Sequence, residues 1–152
     1  MPEATNVRVQ TMDFDLTEEV ARLRGGDTGV GAIATFIGTV RDLNDSARIE
    51  GMTLEHYPGM TEAALSEIVA EARARFDIRD ALIVHRVGPL APGDQIVLVA
   101  VTSAHRGMAF DACRYVMDLL KTRAPFWKKE RTPSGDRWVE ARESDAEAAS
   151  RW

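Results

Sequence analysis

The chain has 152 residues, with 19 Lys and Arg against 24 Asp and Glu and a formal charge of -5 at pH 7, enough for one ordinary domain with its own core. That balance excludes a general polyanion binder, which is basic over its whole surface. The lone cysteine, Cys113, has no internal disulfide partner, no CxxC pair or HExxH run offers zinc, residues 1–14 lack a signal-peptide pattern, and the longest apolar run is 96–101; together these point to a cytoplasmic protein without a membrane span.

The pattern predicts one α+β unit without internal repeats or a linker. Residues 7–12 alternate as a strand, and Asp15 opens a helix to about Arg24, with Glu18 as its capping-box partner. The Gly-rich stretch 25–31 reads as a loop, since it lacks the Gly-Lys-Ser/Thr ending of a phosphate-binding loop. Residues 32–41 are rich in Ile, Thr, Phe and Val and read as a buried strand that runs into a polar loop over 42–48. A second strand spans 52–56 and is broken by Pro58 and Gly59. Leu65, Ile68, Val69, Ala72 and Phe76 then recur at helical spacing, predicting a helix through Arg75 with one face on the sheet.

Residues 81–87 and 95–103 are the next strands, predicted to pair as a hairpin across Pro89-Leu90-Ala91-Pro92-Gly93-Asp94. A long helix follows from His105 to Arg123, with Ser103 as its cap and Ala109, Phe110, Cys113, Val116, Met117 and Leu120 as its apolar stripe. Pro125 stops it. Residues 126–132 and 137–141 make a hairpin across 133–136, and Ser144 begins a short terminal helix.

Chemistry concentrates in the second half. Sixteen of the nineteen basic residues are arginine, and the three lysines, Lys121, Lys128 and Lys129, fall within nine residues. Lysine, unlike arginine, can shed a proton or act as a nucleophile. Helix phase puts Lys121 at the edge of the apolar arc, where contact with apolar surface would disfavour its charged form and where a snorkelling stem is the bland alternative. Strand alternation then points Phe126, Lys128 and Glu130 one way and Trp127, Lys129 and Arg131 the other, so only one of the adjacent lysines can share a pocket with Lys121. Residues 121–137 carry a net +4 and the remainder of the chain -9. Such a local reversal of sign suits an acidic ligand or a partner with an acidic tail.

At the start of the long helix, Arg106, and His105 when protonated, place positive charge where the helix dipole is already positive, which is unfavourable unless an anionic ligand sits there. Helix phase leans Arg106 toward the packed side; a surface arginine paired with a carboxylate is the ordinary reading. His56 and His85 have no partners at metal-ligand spacing and read as structural histidines. Cys113 lies in the apolar stripe and reads as core, with its thiol pKa raised by burial. Tyr57, Trp127 and Trp138 could flank a ligand's ring, but aromatics at such positions are more often core and are read so.

Three segments go further: Leu54-Glu55-His56-Tyr57-Pro58-Gly59-Met60-Thr61, Val101-Thr102-Ser103-Ala104-His105-Arg106, and Leu120-Lys121-Thr122-Arg123-Ala124-Pro125-Phe126-Trp127-Lys128-Lys129. In this order, and with Gly135-Asp136-Arg137-Trp138-Val139-Glu140-Ala141 following, the chain closely resembles the large subunits of molybdopterin synthase, a likeness covering nearly everything from Ala32 onward. The resemblance implies an α/β hammerhead-like fold in residues 1–152, a mixed or antiparallel sheet with packed helices plus a small antiparallel β subdomain. It also implies a sulfurtransferase that converts cyclic pyranopterin monophosphate into molybdopterin by placing two sulfurs on adjacent carbons. Those sulfurs would come from the C-terminal glycine thiocarboxylate of a small ubiquitin-like carrier subunit, whose tail threads into the large subunit's pocket. Two large subunits would form a homodimer at the centre of a heterotetramer, and the chemistry would need neither metal nor cofactor.

Position by position, the resemblance assigns Lys121 and Lys128 as the catalytic lysines and Arg41, His105 and Arg106 as residues that hold the pterin phosphate. Lys129 and Glu130 adjoin the substrate-binding stretch, and some pocket residues are expected from across the dimer. Where the family commonly has lysine two residues before the Arg41 equivalent, this chain has Thr39. A reading from another class stays open on the residues alone: a non-catalytic module that docks an acidic C-terminal tail in the same basic pocket.

Overall fold

The structure is a computed structural model that describes residues 6–44, 47–139 and 143–152. In chain order the described residues form β1 (Val7–Gln10), α1 (Leu16–Arg24), β2 (Ala32–Thr39), β3 (Leu43–Asn44), β4 (Ala47–Arg48), β5 (Gly51–His56), α2 (Met60–Arg75), β6 (Asp80–Arg86), β7 (Gly88–Leu90), β8 (Gln95–Ser103), α3 (Arg106–Arg123), β9 (Phe126–Thr132), β10 (Gly135–Val139) and α4 (Glu143–Ala149). Two four-stranded sheets result, ordered β1-β6-β8-β2 and β10-β9-β5-β7, with a small β3-β4 ribbon. The first sheet is mixed, β1 running parallel to β6 and the other pairs antiparallel, and the second is antiparallel throughout. This is the expected α+β class with its small antiparallel β unit.

Side-chain alternation explains the layers. Along β6 and β8, Ala81, Ile83, Val97, Val99 and Val101 pack with residues of α2 and α3, while Leu82, Val84, Leu98 and Ala100 pack with Phe14 and Leu23 on the opposite face. The unbroken apolar run 96–101 is thus the mark of a strand covered on both sides. A third cluster, Val40, Met52, Leu54, Val87 and Leu90, joins the two sheets and receives Phe126 and Ile96 at its margin.

Four local expectations change. Residues 43–44 and 47–48, expected within a loop, pair as the β3-β4 ribbon. The segment between β6 and β8 is more than a turn, because Gly88–Leu90 crosses to pair with β5 in the second sheet. The last hairpin turns more tightly than expected, Gly135 lying opposite Thr132; the predicted extension to 141 falls outside the described residues. Ser103 does not cap α3. Its hydroxyl donates to the Asp77 carbonyl at 2.8 Å and accepts a long bond, 3.4 Å, from the His105 backbone N–H, while the residue at the cap position is His105, with extended backbone and no side-chain capping bond.

The buried arc of α3 is also rotated from the expected stripe. Ala109, Cys113, Val116, Met117 and Leu120 are buried as expected, but Phe110 is 65% exposed while Ala112, Tyr115 and Leu119 are buried. The cause is the C-terminal segment. Trp152 packs edge-on against Tyr115 and Phe76, and its indole nitrogen donates to Asp118 at 2.7 Å. Among the described residues no helix is long and apolar enough to cross a membrane.

Candidate functional site

The expected site begins where α3 ends. Lys121 lies in its last turn, the chain leaves the helix at Ala124 with extended backbone, and the Thr61 hydroxyl donates to the Pro125 carbonyl at 3.2 Å. That anchor starts β9 at Phe126 in a fixed phase. Phe126, Lys128 and Glu130 consequently face a cavity of about 530 Å³, whose wall also includes Lys121, Arg41, Thr39, Asn44 and His85. Alternation has therefore separated the adjacent lysines. Lys129 lies off the cavity, opposite Trp138 in register, with its ammonium 5.5 Å from the indole centroid.

Arg41 enters from the chain leaving β2. Val40 is fixed by two backbone bonds, donating to the Asp94 carbonyl at 2.9 Å and accepting from Gly93 at 2.8 Å, and the next residue reaches the cavity. Behind it stands a polar clamp that sequence reasoning did not find. The Glu130 side chain is 4% exposed, accepts from Asn44 Nδ2 at 2.8 Å and from Arg137 at 3.1 Å, and Arg137 also donates to the Asn44 carbonyl at 3.3 Å. Asn44, Glu130 and Arg137 thereby tie the Arg41 loop to the second sheet. The sequence signal was a carboxylate of cavity-facing parity between basic neighbours, but nothing local identified Asn44.

The structure does not bring every expected residue together. His105 and Arg106 are exposed at the first turn of α3, some sixteen residues and roughly 24 Å of helix from Lys121. Arg106 does not lie on the packed side, as helix phase had suggested; phase gives a direction, and at that turn no layer covers it. Lys121 is likewise exposed, at the rim of the cavity, rather than held against core. The aromatics expected in the core are also outside: Tyr57, Trp127 and Trp138 are 54%, 47% and 56% exposed. The two tryptophans lie on the face of the second sheet that points away from the cavity.

His85 is the residue that sequence reasoning undervalued. It is buried as a structural histidine should be, yet its ring forms part of the cavity wall. Burial, with Lys121 and His56 close by, pushes its pKa down to about 4. Cys113 fits the expectation of a core thiol, 7% exposed and with its pKa pushed up by burial to about 11. A larger open groove of about 880 Å³ lies between α1, the Gly-rich loop and β2. Among the described residues its charged lining groups are Arg24 and Asp27, and Asp27 is bound by Arg79 at 2.8 Å, so it offers no convergent chemistry.

Residues 9–123 match the family model described as MoaE protein. A molybdopterin synthase catalytic subunit from Ralstonia nicotianae is 60% identical over 146 residues, covering 96% of this chain and 83% of that relative. Among solved structures, the molybdopterin biosynthesis MoaE protein from Burkholderia ambifaria superposes with a TM-score of 0.84 at 57% identity, covering 97% of both chains. The molybdopterin synthase structure from Staphylococcus aureus gives 0.82 at 30% identity, covering 87% of this chain and 95% of that one.

Proposed function

The chain belongs to the MoaE family, the catalytic subunits of molybdopterin synthase, and from that premise we propose that residues 1–152 act as one domain that converts cyclic pyranopterin monophosphate into molybdopterin in the cytoplasm. The observation that carries the reading is one cavity onto which Lys121, Lys128 and Arg41 converge. Three cations around one wall suit a ligand that brings a phosphate, and they equally suit an incoming thiocarboxylate tail. The reading as a tail-docking module without chemistry gives way to membership of a family of catalytic subunits.

Two sulfurs arrive one at a time, each on the C-terminal glycine thiocarboxylate of a separately loaded small ubiquitin-like carrier subunit whose extended tail enters the cavity. Once each sulfur has bonded to its pterin carbon, water cleaves the acyl–sulfur bond and the carrier leaves with a C-terminal carboxylate. Arg41 neutralises the cyclic phosphate. Lys121 and Lys128 stabilise the negative charge that develops as sulfur adds and the phosphate ring opens, and they carry the protons that these steps exchange. Glu130 shapes the substrate wall by holding Asn44 and Arg137. Lys129, outside the cavity, adds positive potential to the approach. His105 and Arg106 complete the anion site of a second copy, since their own Lys121 is a helix length away; the working form is a homodimer at the centre of a heterotetramer.

Lys121→Ala tests the assignment. In a reconstituted mixture with thiocarboxylated carrier and cyclic pterin, it is expected to lower dithiolene formation by roughly a hundredfold or more while the subunits still co-elute. Near-normal turnover would overturn the assignment. Lys121→Arg keeps the charge and loses the transferable proton, and is expected to remain severely impaired.

A further inference from the structure

His85 is a buried titratable group in the cavity wall that the chemistry above does not use. It sits near the end of β6, opposite Val97 of β8 and Val9 of β1, and its ring stacks on Phe126 with centroids 3.8 Å apart and planes 18° from parallel. The Nδ1 atom lies 2.8 Å from the Arg86 carbonyl oxygen. A carbonyl only accepts, so Nδ1 carries the hydrogen and the neutral ring keeps its lone pair on Nε2. Among the described residues Nε2 has no hydrogen-bond partner. None of their unpartnered side-chain polar atoms is sealed from solvent, so Nε2 opens on the cavity that the ring lines. Backbone bond and aromatic stack together fix where this acceptor points.

Lys121 lines the same cavity and is near enough for its charge to act on the imidazole. Its ammonium has three donors at the end of a freely rotating stem, and among the described residues it makes neither a hydrogen bond nor an ion pair. Glu130, the carboxylate on the facing strand, is already engaged by Asn44 and Arg137. A carboxylate partner would in any case cancel the charge that Lys121 must show an anion. A neutral imidazole would orient the ammonium and leave its charge intact. We propose that His85 is a positioning residue for Lys121: Nε2 accepts a hydrogen bond from the Lys121 ammonium when substrate fills the cavity, fixing Nζ at one point on the wall.

This inference rests on the catalytic role given to Lys121, so its test runs Lys121→Ala alongside. His85→Phe keeps a ring to stack on Phe126 and removes the acceptor, whereas His85→Gln restores an acceptor near the position of Nε2. In the assembled complex, with thiocarboxylated carrier and cyclic pyranopterin monophosphate, His85→Phe is expected to lower kcat about tenfold with the pterin KM changed less than about threefold. His85→Gln is expected to recover kcat to within about threefold of the wild type. An unchanged kcat in His85→Phe, a raised KM with kcat intact, or no recovery in His85→Gln would overturn the proposal. Wild-type turnover by Lys121→Ala would instead overturn the functional reading itself. A measurement on the unsubstituted ring covers the case in which the variants fail to fold. Nitrogen-15 NMR is expected to show the neutral tautomer with hydrogen on Nδ1, and an Nε2 resonance that moves on pterin binding in the wild type but not in Lys121→Ala. The opposite tautomer, or the same movement in both proteins, would overturn the proposal.

Discussion

Glu130 carries a charge in a nearly closed position, and its cost is offset by the bonds it accepts from Asn44 and Arg137. Removing its carboxylate would strip Arg137 and Asn44 of a shared acceptor and free the loop that presents Arg41. Because Arg137 is itself 42% exposed, water can compensate part of the loss, and Glu130→Ala is expected to cost about 1–3 kcal/mol in urea unfolding. Its effect on turnover should exceed what that instability explains, since Arg41 loses its support. His85 yields a second expectation at this scale. Its folded pKa of about 4 lies below the ordinary 6.5, so as pH falls through 6.5 the unfolded chain takes up a proton that the folded chain refuses. Stability is therefore fully present above 6.5 and lost toward 4, by about 2 kcal/mol between pH 7 and pH 5. The carboxylates held low by hydrogen bonds, Asp13, Asp27 and Glu71, act further down the scale. Denaturant melts of the wild type and His85→Phe at these two pH values check it: the variant should show the smaller loss. Strand parity alone separated Lys128 from Lys129 in the sequence. The tautomer of His85 was illegible there, because it depends on a carbonyl fixed by the fold.

At the scale of elements, periodicity located α2, α3 and the long strands, because each buries a face whose spacing it must repeat, and the cap-type residues Asp15 and Ser144 marked the two short helices. What it missed were features set by neighbours far along the chain. The buried arc of α3 extends to Tyr115 and Leu119 because Trp152 returns to cover them, and β7 forms because β5 offers it an edge. The approach of β2 to the start of α3 is another such feature. Gly31 donates to the Ser103 carbonyl at 2.9 Å, and a Cβ added at Gly31 would meet the Ala104 carbonyl oxygen at 2.2 Å. Since that atom is backbone, it cannot swing aside. Gly31→Ala must push β2 away from the Ser103–His105 entry to α3, and is expected to destabilise by about 2 kcal/mol or more. The measurement is a chemical-denaturation midpoint, accompanied by a loss of turnover larger than that of the exposed control Gly26→Ala, whose Cβ meets nothing within 4 Å.

At the scale of the whole molecule, charge and geometry pose one problem. The chain is acidic overall, yet its second half gathers a basic site, and two of the residues assigned to that site, His105 and Arg106, stand at the wrong end of α3 to join Lys121. Sequence reasoning could rank these residues by chemistry, but helix length decides who can meet whom. One chain cannot bend an eighteen-residue helix back on itself, whereas a two-fold partner can present the first turn of its own α3 to the facing cavity. The proposal that each site draws on both copies makes complementation its test. Lys121→Ala and Arg106→Ala should each be poorly active alone. Mixed after dissociation and reassembly, they should form heterodimers in which one site carries both lesions and the other carries neither. Random pairing makes half of the dimers mixed, so turnover should recover to about a quarter of the wild-type rate. Sites confined to single chains would instead give each site one lesion in every dimer, and mixing would restore nothing. Recovery that rises with the heterodimer fraction, followed by native mass spectrometry, therefore tests the shared site without requiring a view of the bound substrate.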